Sequence, residues 1–128
     1  MLDTHIVIRW FYEPRRLTRG QKRIIETAER QGTQLGVSAF TLIEIALLVI
    51  LGRISRSEAK FLWSELDSNA LLKIIPLSTE IADEIAVLAG SLRDPADQTI
   101  VATARVHRLQ LLTADQRIID SELVSVIE

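Results

Sequence analysis

Four short apolar runs, at residues 35–39, 71–77, 109–113 and 124–127, constrain this chain more than any other feature. Each reads as a mostly apolar run, rich in Leu, Val and Ile with a single polar interruption at Ser38, Lys73, Gln110 or Ser125, the pattern expected of strands covered on both faces. Between them lie segments with apolar residues at helical spacing. Residues 21–31 carry Ile24, Ile25 and Ala28 on one side and end at Gly32, residues 41–51 end at Gly52, and residues 57–72 carry Ala59, Leu62, Trp63 and Leu66. Residues 80–89 follow Thr79, and Asp94-Pro95 opens a helix running to His107. Residues 115–120 read as a turn or short helix, and Ile6 to Tyr12 as a strand end leading into a helix or a second apolar segment. Strands alternating with helices predict an α/β fold with a small, mostly parallel sheet.

At 128 residues and 14.4 kDa the chain is expected to form one domain, residues 1–128. With 48% hydrophobic and 25% charged residues it falls outside the disordered class. It has no cysteine, which excludes a disulfide scaffold and a thiolate zinc site. The longest apolar stretch is about ten residues, too short to span a bilayer, so a cytoplasmic protein without membrane contact is expected. The net charge of −2 hides a sorting: residues 1–60 hold ten Lys or Arg against six acids, residues 61–128 five against eleven. A basic face and an acidic face are therefore expected to coexist.

The acids stand where α/β sheets build sites, at strand ends and helix starts. Asp3 follows the first apolar residues, Asp115 follows the 109–113 run, and Asp94 and Asp97 open a helix. Glu44 is the only charge in residues 40–51, a segment apolar on every side and so expected to be buried, where a lone carboxylate costs several kcal/mol unless paired or bound to a cation. Simpler readings compete. Thr41-x-x-Glu44 fits a capping box, Asp94 fits an N-cap before Pro95, and Asp3 and Asp115 fit turns. If Asp3, Glu44, Asp97 and Asp115 meet, they cannot all ionise in a dry pocket without a cation. All-oxygen donors suit Mg²⁺ or Mn²⁺, and such sites hydrolyse phosphodiesters.

Four segments, Leu2-Asp3-Thr4-His5, Ile43-Glu44-Ile45-Ala46, residues 93–104 (Arg-Asp-Pro-Ala-Asp-Gln-Thr-Ile-Val-Ala-Thr-Ala) and Leu112-Thr113-Ala114-Asp115, resemble in order and spacing the PIN-domain ribonucleases. Within that family they are similar to the VapC-type toxins of toxin–antitoxin pairs. The resemblance covers nearly the whole chain. It implies a three-layer α/β/α sandwich and an acidic pocket for one or two Mg²⁺ or Mn²⁺ ions, with Asp3, Glu44, Asp97 and Asp115 as the family's four acids. Asp94 resembles the extra acid of the Asp-Pro-x-Asp subgroup, standing behind the ligands or capping the helix. Thr4 and Thr113 fall where the family places hydroxyls that hydrogen-bond the acids. Two departures stand out. Only Met1 and Leu2 precede Asp3, so either a clipped first strand or a misassigned start codon is expected, and Gln98 replaces the Arg that often follows the third acid.

On this resemblance the chain is expected to be the endoribonuclease toxin of a toxin–antitoxin pair, hydrolysing RNA phosphodiesters with a metal-activated water. Asp3 and Asp97 are the expected direct ligands, Asp115 supports a second ion or its waters, and Glu44 orients or deprotonates the water. The resemblance also implies a homodimer and a VapB-type antitoxin. Arg15, Arg16, Arg19, Lys22 and Arg23 are candidates for RNA phosphates, against the plain reading of a solvated loop. Trp10, Phe11 and Tyr12 offer stacking surfaces, at least one of them facing the core, and Trp63 and Leu66 fit either an interface or the core. Two alternatives remain at this level, a catalytically inactive PIN-like partner-binding module and a metal-dependent DNA or flap nuclease. An aspartyl-phosphate receiver or phosphatase is disfavoured, because the strand-end lysine and the Asp-x-Asp spacing are missing.

Overall fold

The computed structural model describes residues 1–128. Four parallel strands form the sheet: β1 (Leu35–Ser38), β2 (Leu72–Ile75), β3 (Leu111–Leu112) and β4 (Val126–Ile127). β1 pairs with β2 and β3 with β4, and Leu2 joins the two pairs through parallel bridges to Val37 and Leu112. Its backbone N–H donates to the Gly36 carbonyl at 2.8 Å, and the next N–H, of Asp3, to the Leu112 carbonyl at 3.0 Å. The first strand is thus a single rung. The strand end expected at Ile6 is absent, and of its two expected continuations the helix is the one found: α1 (Thr4–Tyr12) starts directly after Asp3 and buries Thr4, Ile6 and Val7.

Neighbouring strand residues point to opposite faces. Leu2 and Leu112 enter one core with Ile6, Val7, Ile25, Ile45 and Leu62, while Met1 and Leu111 enter another with Ile81, Leu88, Ile100 and Ile118. The first core is covered by α1, α2 (Arg19–Gln31), α3 (Phe40–Ile50) and α4 (Arg56–Ser68). The second is covered by α5 (Thr79–Leu88), α6 (Pro95–Val106) and α7 (Gln116–Ser121). That is the three-layer α/β/α sandwich. Local chemistry fixes the boundaries. Thr18 with Gln21 and Ser55 with Glu58 form capping boxes on α2 and α4, and Gly32 ends α2 at φ 64°, a backbone angle that side chains with a Cβ resist. Helix α4 stops at Ser68, four residues before the expected end, because residues 72–75 are recruited into the sheet.

Helix α3 departs from the expectation of burial. Ile45 and Thr41 face inward, but Ile43, Leu47, Ile50 and Leu51 are 46–78% exposed, a stripe at helical spacing. An all-apolar helix is therefore not buried all round here. Conversely, Leu66 lies in the core, and Trp63 is half-buried with its indole N–H donating to the Leu42 carbonyl at 3.2 Å. Trp10 stacks on Phe11, whose ring meets Phe61 edge-on as does that of Tyr12, so Phe11 and Tyr12 are engaged with α4.

Candidate active site

Parallel strands send the segments that follow them to one edge of the sheet, and there the acids gather. Asp3 follows the Leu2 rung, Asp115 follows β3, α3 carries Glu44 after β1, and α6 begins at the same edge with Asp94 and Asp97. All five line one open cleft of about 290 Å³, together with His5, Arg53, Arg117 and the apolar Leu47, Leu48 and Leu51. Asp3 occupies the N-cap position of α1 without capping it, Asp94 caps α6 through the Ala96 N–H at 2.8 Å, and Asp115 caps α7 through the Arg117 N–H at 2.8 Å. The positive ends of α1 and α6 thus face the cleft and favour negative charge there.

Hydroxyls hold two of the acids. The Thr113 hydroxyl donates to Asp3 Oδ2 at 2.6 Å while accepting from the Asp115 N–H at 3.0 Å, so one side chain couples the first acid to the last. The Thr4 hydroxyl donates to Glu44 Oε1 at 2.7 Å and lies 2.8 Å from the Thr41 hydroxyl, which must be the donor in that pair because Thr4 has only one proton. The capping-box reading of Thr41 and Glu44 is thereby overturned: α3 has Ala39 at its N-cap with no side-chain cap bond, and Glu44 turns toward the acids instead. Gln98 also turns away from the cleft, its amide donating to the Leu92 carbonyl at 2.5 Å.

Burial and mutual repulsion show in the acidities. Burial pushes the Glu44 carboxyl up to about 7, with Asp3, Asp97 and Asp94 adding repulsion and the Thr4 bond opposing it. Asp97 is pushed up to about 6, first by burial and then by Asp115, with Arg117 pulling the other way. Burial also raises Asp3, against the Thr113 bond. Asp115, by contrast, is held below the usual carboxylate range, because Arg117 hydrogen-bonds it. A Thr113→Val variant strips a donor from a buried carboxylate. It is expected to lower the unfolding free energy by about 1–2 kcal/mol, measured by urea denaturation in EDTA at pH 7.5.

Arg117 and the groove cations Arg9 and Arg53 were not legible in the sequence. The Arg117 guanidinium donates to both oxygens of Asp115, at 3.2 and 2.8 Å, and Nη2 also stands 3.3 Å from Asp97 Oδ2. The only sequence signal for it is an Arg two residues past the last acid. A second cleft, of about 230 Å³, adjoins the first through His5, Leu48 and Arg53 and is lined by Arg9 and Arg16. Of the five cations expected on RNA, only Arg16 lies there, and it pairs with Glu13 at 2.7 Å. Lys22 lines a separate groove beside Glu26 and Glu29, and Arg15, Arg19 and Arg23 are exposed. A run of charges in sequence is dispersed by the turn at Pro14–Arg16 and the start of α2.

The PIN domain family model matches residues 1–121. The chain belongs to the PIN-domain family. It is 30% identical over 118 residues to Ribonuclease VapC22 of Mycobacterium tuberculosis, spanning 92% of this chain and 88% of that protein. Among solved structures, VapBC2 of Rickettsia felis bound to a DNA fragment from its promoter is similar with a TM-score of 0.74 at 16% identity, over 99% of this chain and 96% of that one. FitAcB from Neisseria gonorrhoeae gives 0.69 at 23%, over 99% and 95%. A toxin–antitoxin complex from Klebsiella pneumoniae gives 0.68 at 25%, over 99% and 94%. The fold of this PIN domain is thus that of the VapC structures, and none of its helices is long and apolar enough to cross a membrane.

Proposed function

We propose that this PIN domain, residues 1–128 acting as one unit in the cytoplasm, is a divalent-metal-dependent endoribonuclease and the toxin of a toxin–antitoxin pair. The observation that carries the reading is the gathering of Asp3, Glu44, Asp94, Asp97 and Asp115 in one cleft, with three of their carboxyls pushed upward. Such a set favours a cation, and its hard oxygen donors suit Mg²⁺ or Mn²⁺. Asp3 and Asp97 would hold the ion directly, with Asp115 serving a second ion or its waters. Asp94, committed to the Ala96 N–H, stands behind them. When bound, the metal supplies a more acidic water and neutralises charge on the phosphate.

The protein's own share of the reaction follows from the geometry. Glu44 Oε1 accepts from Thr4, which leaves Oε2 to take the proton of the attacking water, and a carboxyl near 7 is matched to that task at neutral pH. Attack on phosphorus with departure of the 3′-oxygen leaves a 5′-phosphate and a 3′-hydroxyl, the latter taking its proton from solvent. Thr113 keeps Asp3 oriented throughout.

RNA enters this reading through the family relative named as a ribonuclease. The adjoining cleft of His5, Arg9, Arg16 and Arg53 gives its backbone a cationic path to the acids. Arg9→Ala and Arg53→Ala are expected to weaken RNA binding about uniformly across sequences, each lowering the salt slope of log K by about one, read by filter binding from low to moderate salt. A homodimer and a VapB-type antitoxin are the proposed partners. They are supported by the toxin–antitoxin complexes among the structural neighbours and by the exposed Ile43, Leu47, Ile50 and Leu51 beside the cleft.

The test is incubation of the purified protein with a mixed-sequence RNA pool in Mn²⁺ and in EDTA. Fragments with 5′-phosphate ends formed only with Mn²⁺ support the nuclease. Bound RNA left intact at every metal concentration overturns it in favour of an inactive binding module.

A further inference from the structure

Arg117 is the one residue whose cation pairs with acids of the cleft; the other ion pairs of the chain lie elsewhere. Its planar fork takes Asp115 through Nε and Nη2, Nη2 bridges on to Asp97 Oδ2, and Nη1 reaches 4.0 Å from Asp94 Oδ2. The side chain is 64% exposed and forms no bond outside these carboxylates, so the acids alone hold it in place. In this arrangement no three of the acidic or imidazole side chains converge on a common point at ligating distance. The group standing between Asp97 and Asp115 is the guanidinium.

A guanidinium does not give up its proton under any condition the protein survives, so it makes way for another cation only by moving. A divalent ion held by Asp97 and Asp115 would lie within a few ångströms of that fixed positive charge, and the two repel. The same carboxylate lone pairs cannot serve both.

We propose that Arg117 is a built-in counter-ion that occupies the acids in place of a metal and must be displaced before Mg²⁺ or Mn²⁺ can bind, so that it sets the metal concentration at which the site fills. The inference rests on the metal-nuclease reading. A merely orienting role, in which Arg117 holds Asp115 ready for the ion, has the opposite consequence for affinity. The Arg117 side chain lies outside the core, and the cap on α7 uses its backbone N–H, so a Gln substitution leaves that cap intact.

Calorimetric titration of Mn²⁺ into the wild type, Arg117→Gln and Arg117→Lys decides the matter. Arg117→Gln is expected to bind Mn²⁺ about three- to tenfold more tightly, since it removes both the competitor and the repulsion. Arg117→Lys, which keeps the charge without the fork, is expected to fall between the two. In EDTA the Gln variant should melt below the wild type, and saturating Mn²⁺ should raise its Tm by more. Equal or weaker Mn²⁺ binding by Arg117→Gln, with binding to the wild type lost in Asp97→Asn, overturns the counter-ion role alone. Absence of Mn²⁺ binding in all of them overturns that role and the metal-nuclease reading together.

Discussion

Replacing Asp97 with Asn is expected to reduce metal-dependent RNA cleavage by on the order of a thousandfold or more, the scale at which a lost electrostatic contact to the reacting centre is felt, while leaving the metal-free protein at least as stable. The expectation follows from what the carboxylate contributes to folding. Asp97 is buried at the start of α6, 8% exposed, and its pKa of about 6 means that burial and Asp115 together outweigh the attraction of Arg117. Its charge is a strain on the fold at neutral pH even with Arg117 beside it, and a divalent cation would relieve it. Asn keeps the shape and removes the charge. Single-turnover cleavage and melting in EDTA, measured side by side, check both halves. Activity within tenfold of wild type contradicts the assignment, and so does a fall in Tm that accounts for the lost activity.

Glu44→Gln carries the second large effect, and it is a pH effect. The Glu44 carboxyl titrates near 7 in the folded chain against 4.5 as the ordinary value. Between those values the folded state holds a proton that the unfolded state has released, so stability falls as pH rises through the window and levels off above about 7. At pH 7.5 the ionised side chain is expected to cost about 1–3 kcal/mol. Gln retains an oxygen for the Thr4 hydroxyl and has no charge to lose. In EDTA the variant should therefore be more stable than wild type at pH 7.5 and little different at pH 4.5, as read by urea denaturation. Asp97, raised to about 6 from 3.8, leaves a remaining slope of the same sign at lower pH. A wild-type advantage at pH 7.5 contradicts the reading of Glu44 as an ionisable group strained by burial and by its neighbours. In the nuclease reaction the same variant lacks the proposed proton acceptor and should lose most of its cleavage.

The sheet was legible because β1, β2 and β3 place Leu35, Val37, Leu72, Ile75, Leu111 and Leu112 in the cores, and a single exposed Lys73 in β2 does not hide so apolar a run. The opening rung was illegible: Leu2 pairs alone, and one residue has no periodicity. Ile6, Val7 and Ile8 favour a strand by intrinsic preference, yet the chain is helical there because Ile6 and Val7 lie on the face of α1 that meets the core. Helix α3 was misread for a different reason. Hydropathy reports what a residue favours, whereas the exposure of Ile43, Leu47 and Ile50 depends on whether another surface is present to cover them.

The acids were legible because Asp3, Asp94, Asp97 and Asp115 mark strand ends and helix starts, and topology alone brings those to one edge. Arg117 was not, since its placement depends on rotamers that answer the charges of Asp115 and Asp97 in three dimensions. The groove of Arg9, Arg16 and Arg53 draws on α1, the turn that follows it and the turn after α3, and no local pattern links the three.

The central claim, that these acids form a divalent-metal site, is tested most directly by locating Mn²⁺ in crystals through its anomalous scattering. The expected result is a peak within ligating distance of Asp3 and Asp97, with the Arg117 side chain withdrawn from Asp97. A cleft without a peak, at Mn²⁺ concentrations that support RNA cleavage in solution, would contradict it.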